Sequence, residues 1–203
     1  MLGFTKKEIA LLKKLNTPVK VQDFLNSLEF NFEQKGETLK SPILTLRAGN
    51  AHCFEGALLG AYVLSLQGFM PYLMHLKAIK GDYDHVVVPF KVNGFWGALS
   101  KTNHAVLRYR EPVYKNIREL AMSYFHEYFL NDGKKTLRQY SAFFNLNTLG
   151  QDWINKNSDL WYIDKKLDKI KHYDIVPKFY LKQLRKADKI EIQAGKIVEF
   201  KKY

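Results

Sequence analysis

The chain has 203 residues, enough for one full hydrophobic core and too short for two average domains. Apolar residues make up 46% and charged residues 26%, with 12 Tyr and 14 Phe; this excludes disorder over most of the length, and no run approaches the ~18 apolar residues of a membrane span. Lys and Arg number 32 against 20 Asp and Glu, a net charge of +12, and the single cysteine excludes both an internal disulfide and a multi-cysteine zinc site.

The opening M-L-G-F-T-K-K lacks the continuous apolar region and small-residue cleavage site of a secretory signal, so the cytoplasm is the expected compartment. Lysines are spread along the whole length, with mild clusters at 165–171 and 178–189. That spread argues for a solvated basic surface and against a dedicated nucleic-acid partner.

In chain order, residues 5–16 read as a short helix, with Thr5 and Glu8 at capping-box spacing and Ile9, Leu11, Leu12 and Leu15 on the apolar side. Thr17-Pro18 breaks it, and 20–30 repeats the helical period through Val21, Phe24, Leu25 and Leu28. A polar loop with Gly36 and Pro42 precedes Ala51–Gln67, a stretch apolar nearly all round and rich in small residues, as in a helix buried on several sides. Gly68 follows as its C-terminal glycine.

The period then changes. Tyr72–Ile79 and His85–Val92 are strand-like, Asn93-Gly94 is a strong hairpin signal, and Phe95–Ser100 is the returning strand. A further short strand is expected over Ala105–Tyr109, and a long amphipathic helix over Pro112–Leu130, ended by Asn131-Asp132-Gly133. Residues 135–163 look irregular, 164–186 hold short helices, and the tail from Lys189 reads as a β-hairpin turning at Ala194-Gly195. The whole is one α+β domain over 1–203, with a core at about 42–130 and a C-terminal extension at about 135–203.

Cys53 is the most informative residue, placed two residues into the buried helix after the turn-like Ala48-Gly49-Asn50. A helix N-terminus favours thiolate, and its free amides suit an oxyanion on a bound acyl group. A buried, inert thiol is the plainer alternative. His85 opens a core strand and could stand beside that helix end, where imidazole takes the thiol proton.

The order of A-G-N-A-H-C-F-E-G-A-L-L-G-A-Y-V-L, D-H-V-V-V-P-F and G-F-W-G-A-L-S over residues 42–104 resembles the transglutaminase-like superfamily of papain-type cysteine enzymes. With the aromatic segment Ala121-Met122-Ser123-Tyr124-Phe125-His126, the likeness extends over about 20–145, and the chain is similar more particularly to a group of uncharacterised bacterial transglutaminase-like proteins. The resemblance implies a papain-like core, a Cys-bearing helix on a small antiparallel sheet, with added N- and C-terminal helices. It implies Cys53 as nucleophile, His85 as base, and an acid on the next strand that orients the imidazole.

Here the third position departs from that pattern. The family's acid follows a strand tryptophan by four residues, which from Trp96 gives Ser100. Hairpin arithmetic agrees: with Val92 facing Phe95, His85 stands opposite Thr102, and Ser100 and His104 are its diagonal neighbours. Asn103 points away unless the register slips, yet stays a candidate because asparagine can orient a catalytic histidine in papain-like enzymes.

Asn50 could donate to an oxyanion, although helix N-capping is the simpler role. Glu55 needs a basic partner, with Arg47 or Arg108 available, or else points at the cleft. Turn chemistry accounts for Asp82 and Asp84. His52 is taken to face another side of the helix than Cys53. Arg108, Arg110 and Arg118 are expected to pair with Glu111 and Glu119.

The function expected is a cysteine-dependent amide or peptide hydrolase or acyltransferase without metal or organic cofactor. Its partner would be a peptide or protein amide, or a small amide or ester. A transglutaminase-like binding module without turnover is the alternative, and a basic nucleic-acid accessory protein a more distant one.

Overall fold

The computed structural model describes residues 3–201. Helix α1 (Lys6–Lys14) begins with the capping box anticipated from sequence: Glu8 N–H donates to Thr5 Oγ1 at 3.2 Å and Thr5 N–H to the Glu8 carboxylate at 2.6 Å. Helix α2 (Pro18–Ser27) starts on the proline that stops α1, because a proline at the first helical position sacrifices no hydrogen bond. The polar loop ends earlier than its composition suggested, in a helix α3 (Pro42–Ala48) closed by Gly49 at φ 67°.

Two-residue strands β1 (Glu29–Phe30) and β2 (Asn50–Ala51) then pair in parallel and lead into α4 (Cys53–Ser65). Among the described residues α4 is buried on almost every side, from Phe54 to Leu64. Gly56 and Gly60 permit this: a Cβ at Gly60 would meet Leu99 at 3.1 Å and Leu25 at 3.2 Å.

The main sheet is antiparallel. Its strands are β3 (Tyr72–Ala78), β4 (His85–Val92), β5 (Phe95–Leu99), β6 (Arg110–Tyr114), β7 (Leu137–Ser141), β8 (Phe144–Asn145) and β9 (His172–Asp174), in the order β6-β5-β4-β3-β7-β9, with β8 also on β3. The β4–β5 hairpin turns at Asn93-Gly94, both at positive φ (50° and 88°), with Val92 opposite Phe95 as expected. Pro89 pairs in register with Ala98, beyond Val87 where pairing with β3 ends, so its missing N–H costs that ladder nothing.

Alternation along β4 builds two cores, one on each face. Val86, Val88 and Phe90 join Leu73 and Leu99 beneath α1–α4 and α6 (Trp161–Lys169), while Val87 joins Met74, Leu76 and Ala98 beneath α5 (Ile117–Met122) and its flanking aromatics. No helix is long and apolar enough to cross a membrane among the described residues.

Several sequence expectations are corrected. The long helix over Pro112–Leu130 is split: Arg110–Tyr114 pairs with β5, Asn116 caps a new helix by accepting Glu119 N–H at 3.0 Å, and α5 gives way to a 3-10 turn at Phe125–Glu127. Its apolar residues Leu120, Tyr124, Phe125 and Tyr128 are buried all the same. Ala105–Tyr109 is no strand; Leu107 sits at φ 61° and turns its carbonyl back toward Ser100.

The supposed irregular stretch 135–163 supplies β7 and β8, so the C-terminal part of the chain completes the sheet. The tail is a helix, α7 (Lys189–Gly195), not a hairpin. Asp188 and Glu191 form a capping box there, the Asp188 N–H donating to Glu191 at 2.6 Å, and this local bonding outweighs the I-E-I alternation.

Candidate active site

Cys53 is the first residue of α4, two positions nearer the helix N-terminus than anticipated, and is partly exposed. Its N–H has no protein acceptor among the described residues, so it is an available donor at the positive end of a thirteen-residue helix. His52, not Asn50, is the N-cap: its Nδ1 accepts Phe54 N–H at 3.2 Å and its Nε2–H donates to the Thr38 carbonyl at 2.8 Å. Asn50 lies in β2 with Oδ1 accepting from Lys40 Nζ at 2.6 Å, and it takes no part in the cavity that Cys53 lines.

Glu55 holds this helix start from beneath. The carboxylate is fully buried and accepts from Asn31 Nδ2 (3.0 Å), Thr38 Oγ1 (2.8 Å), Lys40 N–H (3.0 Å) and His52 N–H (3.2 Å), with Lys40 Nζ at 3.3 Å. Its partners are therefore Lys40 and His52 rather than Arg47, which pairs with Glu8, or Arg108, which pairs with Glu199. Burial raises its pKa, but these partners together hold it below the ordinary value.

His85 begins β4 and is pinned from behind. Its Nε2 lies 2.8 Å from Ser100 Oγ, and Ser100 Oγ–H donates to the Leu107 carbonyl. A carbonyl can only accept, so the serine hydrogen is spent there and Oγ must accept from Nε2–H. The ring is thereby fixed as the Nε2–H tautomer with a lone pair on Nδ1. Gln22 of α2 clamps Ser100 in turn, accepting its N–H at 2.9 Å and donating to its carbonyl at 2.8 Å.

Gln22 was missed in the sequence, although a glutamine on the Val21–Leu25 face of α2 is a visible anomaly. Asn103 does not reach this relay. Its amide grips the backbone of Phe200 in both directions, at 2.9 and 2.8 Å. His104 bonds the Gly195 carbonyl at 2.9 Å.

Two imidazoles act on the thiol. Burial alone raises the Cys53 pKa, yet hydrogen bonding and charge from His52 and His85 bring it from 9.0 down to about 5. Burial lowers His52, but the thiolate, the Glu55 charge and the Thr38 carbonyl lift it from 6.5 to about 9. In its capping role His52 is neutral, so charging it costs the Phe54 cap. Sequence reasoning set His52 aside on helical geometry; as N-cap residue it lies outside the helix and escapes that geometry.

Asp84 steadies the turn before His85, accepting from Ala78 N–H at 2.7 Å and from His75 Nε2 at 2.9 Å. The arginines find partners other than those expected. Arg110 pairs with Glu127 at 2.6 Å and stacks on Tyr124, and Arg118 donates to the Ile175 carbonyl at 3.2 Å. Among the described residues no three His, Cys, Asp or Glu side chains are arranged to hold a metal ion.

Cys53, His52 and His85 open on one cavity of about 730 Å³, also lined by Lys101, Asn103 and Tyr128. Its size is that of a small-molecule or side-chain site. No family model matches the chain, and no curated protein matches it.

Proposed function

We propose that the chain is a cysteine-dependent amide or ester hydrolase or acyltransferase of the transglutaminase-like kind, with Cys53 as nucleophile and His85 as base. The observation that carries this reading is the hydrogen-bond chain from His85 Nε2 through Ser100 Oγ to the Leu107 carbonyl, from which the tautomer of His85 follows. With Nε2–H committed to Ser100, Nδ1 is the lone pair left to receive a proton from the thiol that shares its cavity.

Cys53 sulfur would attack the carbonyl carbon as the thiolate, its proton held on imidazole and delivered through His85 Nδ1 to the leaving group. The oxyanion would be met by the unpaired Cys53 N–H at the α4 terminus. Collapse would expel the amine or alcohol with the proton returned from Nδ1, and water or a second amine would take the acyl group from sulfur. Peptide or protein amides, or small amides and esters, are the substrate class the resemblance favours.

Ser100 supports a second reading. A hydroxyl orients imidazole but stabilises imidazolium less than a carboxylate does, so a binding module without turnover fits the same relay.

The pH dependence of iodoacetamide alkylation separates the two, because the chain has only one thiol. The wild type should show an inflection near 5 and His85→Ala one displaced upward toward 9.0. A profile of ordinary alkaline midpoint, indifferent to His85, would leave the binding module.

A further inference from the structure

His75, Ser141 and His172 form one row across β3, β7 and β9. The register pairs Leu76 with Tyr140, which sets His75 beside Ser141, and Ser141 in turn pairs with His172. The small serine folds its hydroxyl onto the backbone, accepting His75 N–H at 2.9 Å and donating to the Ala142 carbonyl at 2.7 Å. The imidazoles therefore meet over it, with His75 Nδ1 lying 3.1 Å from His172 Nε2.

The outer nitrogens of this pair have fixed roles. His172 Nδ1 is 2.8 Å from the Ile170 carbonyl, and His75 Nε2 is 2.9 Å from the Asp84 carboxylate. Burial raises the Asp84 pKa, yet hydrogen bonds from His75 and Ala78 hold it below the ordinary value, so it is ionised. A carbonyl and an ionised carboxylate only accept, so both outer nitrogens carry hydrogen. Neutral rings would then confront each other with two lone pairs at 3.1 Å. One further proton turns that contact into a hydrogen bond, and a second sets two N–H groups against each other. The contact needs three hydrogens on four nitrogens.

The surroundings favour one positive charge. His75 is buried, with Asp84 against it and Asp168 of α6 at 4.0 Å. Asp164 of α6 and Lys77 of β3 also act on this site, and Lys77 pairs with Asp168 at 2.8 Å. Asp174, on the His172 face of β9, accepts from Gln139 at 2.8 Å. Asp84, Asp164 and Asp168 thus outnumber the single lysine. Burial lowers the His172 pKa and the charge of His75 lowers it further, against the Ile170 carbonyl, so a second proton is resisted.

We propose that His75 and His172 share a single proton and so form a pH-sensitive clasp, fastening β9 to β3 and, through Asp84, to the turn that carries His85. Asp84 lines the cavity and immediately precedes His85, so the clasp ends at the wall of the candidate active site. It stands independently of what Cys53 does.

A clasp of this kind is weakened from both sides. When β9 opens, each imidazole titrates freely at about 6.5. Below that value the open rings bind two protons and the closed pair one; above it they bind none and the closed pair keeps one. While the closed pair holds its one proton, closure is firmest at about 6.5 and weakens in either direction, about eightfold over one and a half pH units.

The test is hydrogen exchange at the two amides that bracket β9, Ala142 N–H on the Lys171 carbonyl and Ile175 N–H on the Arg138 carbonyl, both at 2.8 Å. Protection factors, which cancel the intrinsic pH dependence of exchange, should peak at about pH 6.5 and be about eightfold lower at pH 5 and pH 8. Nitrogen-15 spectra at the peak should show His75 with hydrogen on both nitrogens and His172 with hydrogen on Nδ1 alone. His172→Gln offers an amide oxygen to His75 and takes no charge, so the fall on the acid side should disappear.

The wild-type profile and spectra need no variant, so a failure of His172→Gln to fold does not protect the idea. Two rings that titrate independently, or a protection profile that is flat or changes in one direction only, overturn the clasp. So does an acid-side fall that survives His172→Gln, which would belong to the carboxylates.

Discussion

At the residue scale the site is governed by where single hydrogens go. Ser100 converts one carbonyl, that of Leu107, into a tautomer choice at His85 through a chain of two hydrogen bonds. Removing the hydroxyl breaks that chain without touching the ring. In Ser100→Ala the imidazole is free to carry its hydrogen on either nitrogen, and the Leu107 carbonyl loses its donor. A hydrogen bond of this kind contributes about 1 kcal/mol, so iodoacetamide alkylation below the thiol's inflection near 5 should slow about fivefold. Nitrogen-15 shifts of His85 should move from the single Nε2–H form toward a mixture. An unchanged tautomer in Ser100→Ala would mean that some other group holds the ring. Glutamine 22 acts one step further out, on the serine's backbone, and is a positioning residue in the strict sense.

At the scale of elements, α4 brings Cys53 to the cavity, and Glu55 holds the start of α4 to the loop before α3. The carboxylate collects donors from Asn31, Thr38, Lys40 and His52. Glu55→Ala strands all of them and leaves the partly buried Lys40 ammonium without its counter-ion, a loss of about 3–5 kcal/mol on the scale of broken buried pairs. Urea unfolding should register that fall, and Glu55→Gln, which keeps most acceptor contacts, should lose less. A cost within the ordinary surface range for Glu55→Ala would show that the network adds little.

These elements differed in how much of them the sequence disclosed. The β4–β5 hairpin was readable because Asn93-Gly94 dictates the turn, the turn dictates the register, and the register brings Ser100 to His85. Helix α4 was readable from its unbroken apolar run. The split of 112–130 was not, because pairing with β5 overrides a helical period that those residues also carry. Nor was the Lys40–Glu55–His52 cluster, whose members come together only when α3 and β2 are in place. Asn103, which the hairpin register already turned away from His85, stayed a candidate for the same reason: its partner Phe200 lies 97 positions away.

At the scale of the whole molecule, the Cys53–His52 pair ties folding to pH in a way that can be worked out from proton counts. Cys53 is depressed from 9.0 to about 5, so its contribution is complete above 9.0 and is lost as pH falls toward 5. His52 is raised from 6.5 to about 9, so its contribution is complete below 6.5 and is lost as pH rises through 9. Between 6.5 and 9 the two trends oppose each other, since the folded thiolate–imidazolium pair and the unfolded thiol with neutral imidazole each carry one proton. Below 6.5 the unfolded imidazole gains a proton while the folded pair does not until about 5, so the unfolded state binds more and stability falls. The difference between the wild type and the double variant Cys53→Ser, His52→Asn, from urea melts at intervals between pH 5 and 9, should therefore be flat between 6.5 and 9 and decline below 6.5. The double variant removes both groups, because His52 owes its rise to the Cys53 thiolate and would retitrate if that alone were lost, and changes at the carboxylates cancel. A difference that instead grows as pH falls would place the neutral thiol in the folded state and remove the ion pair from the site.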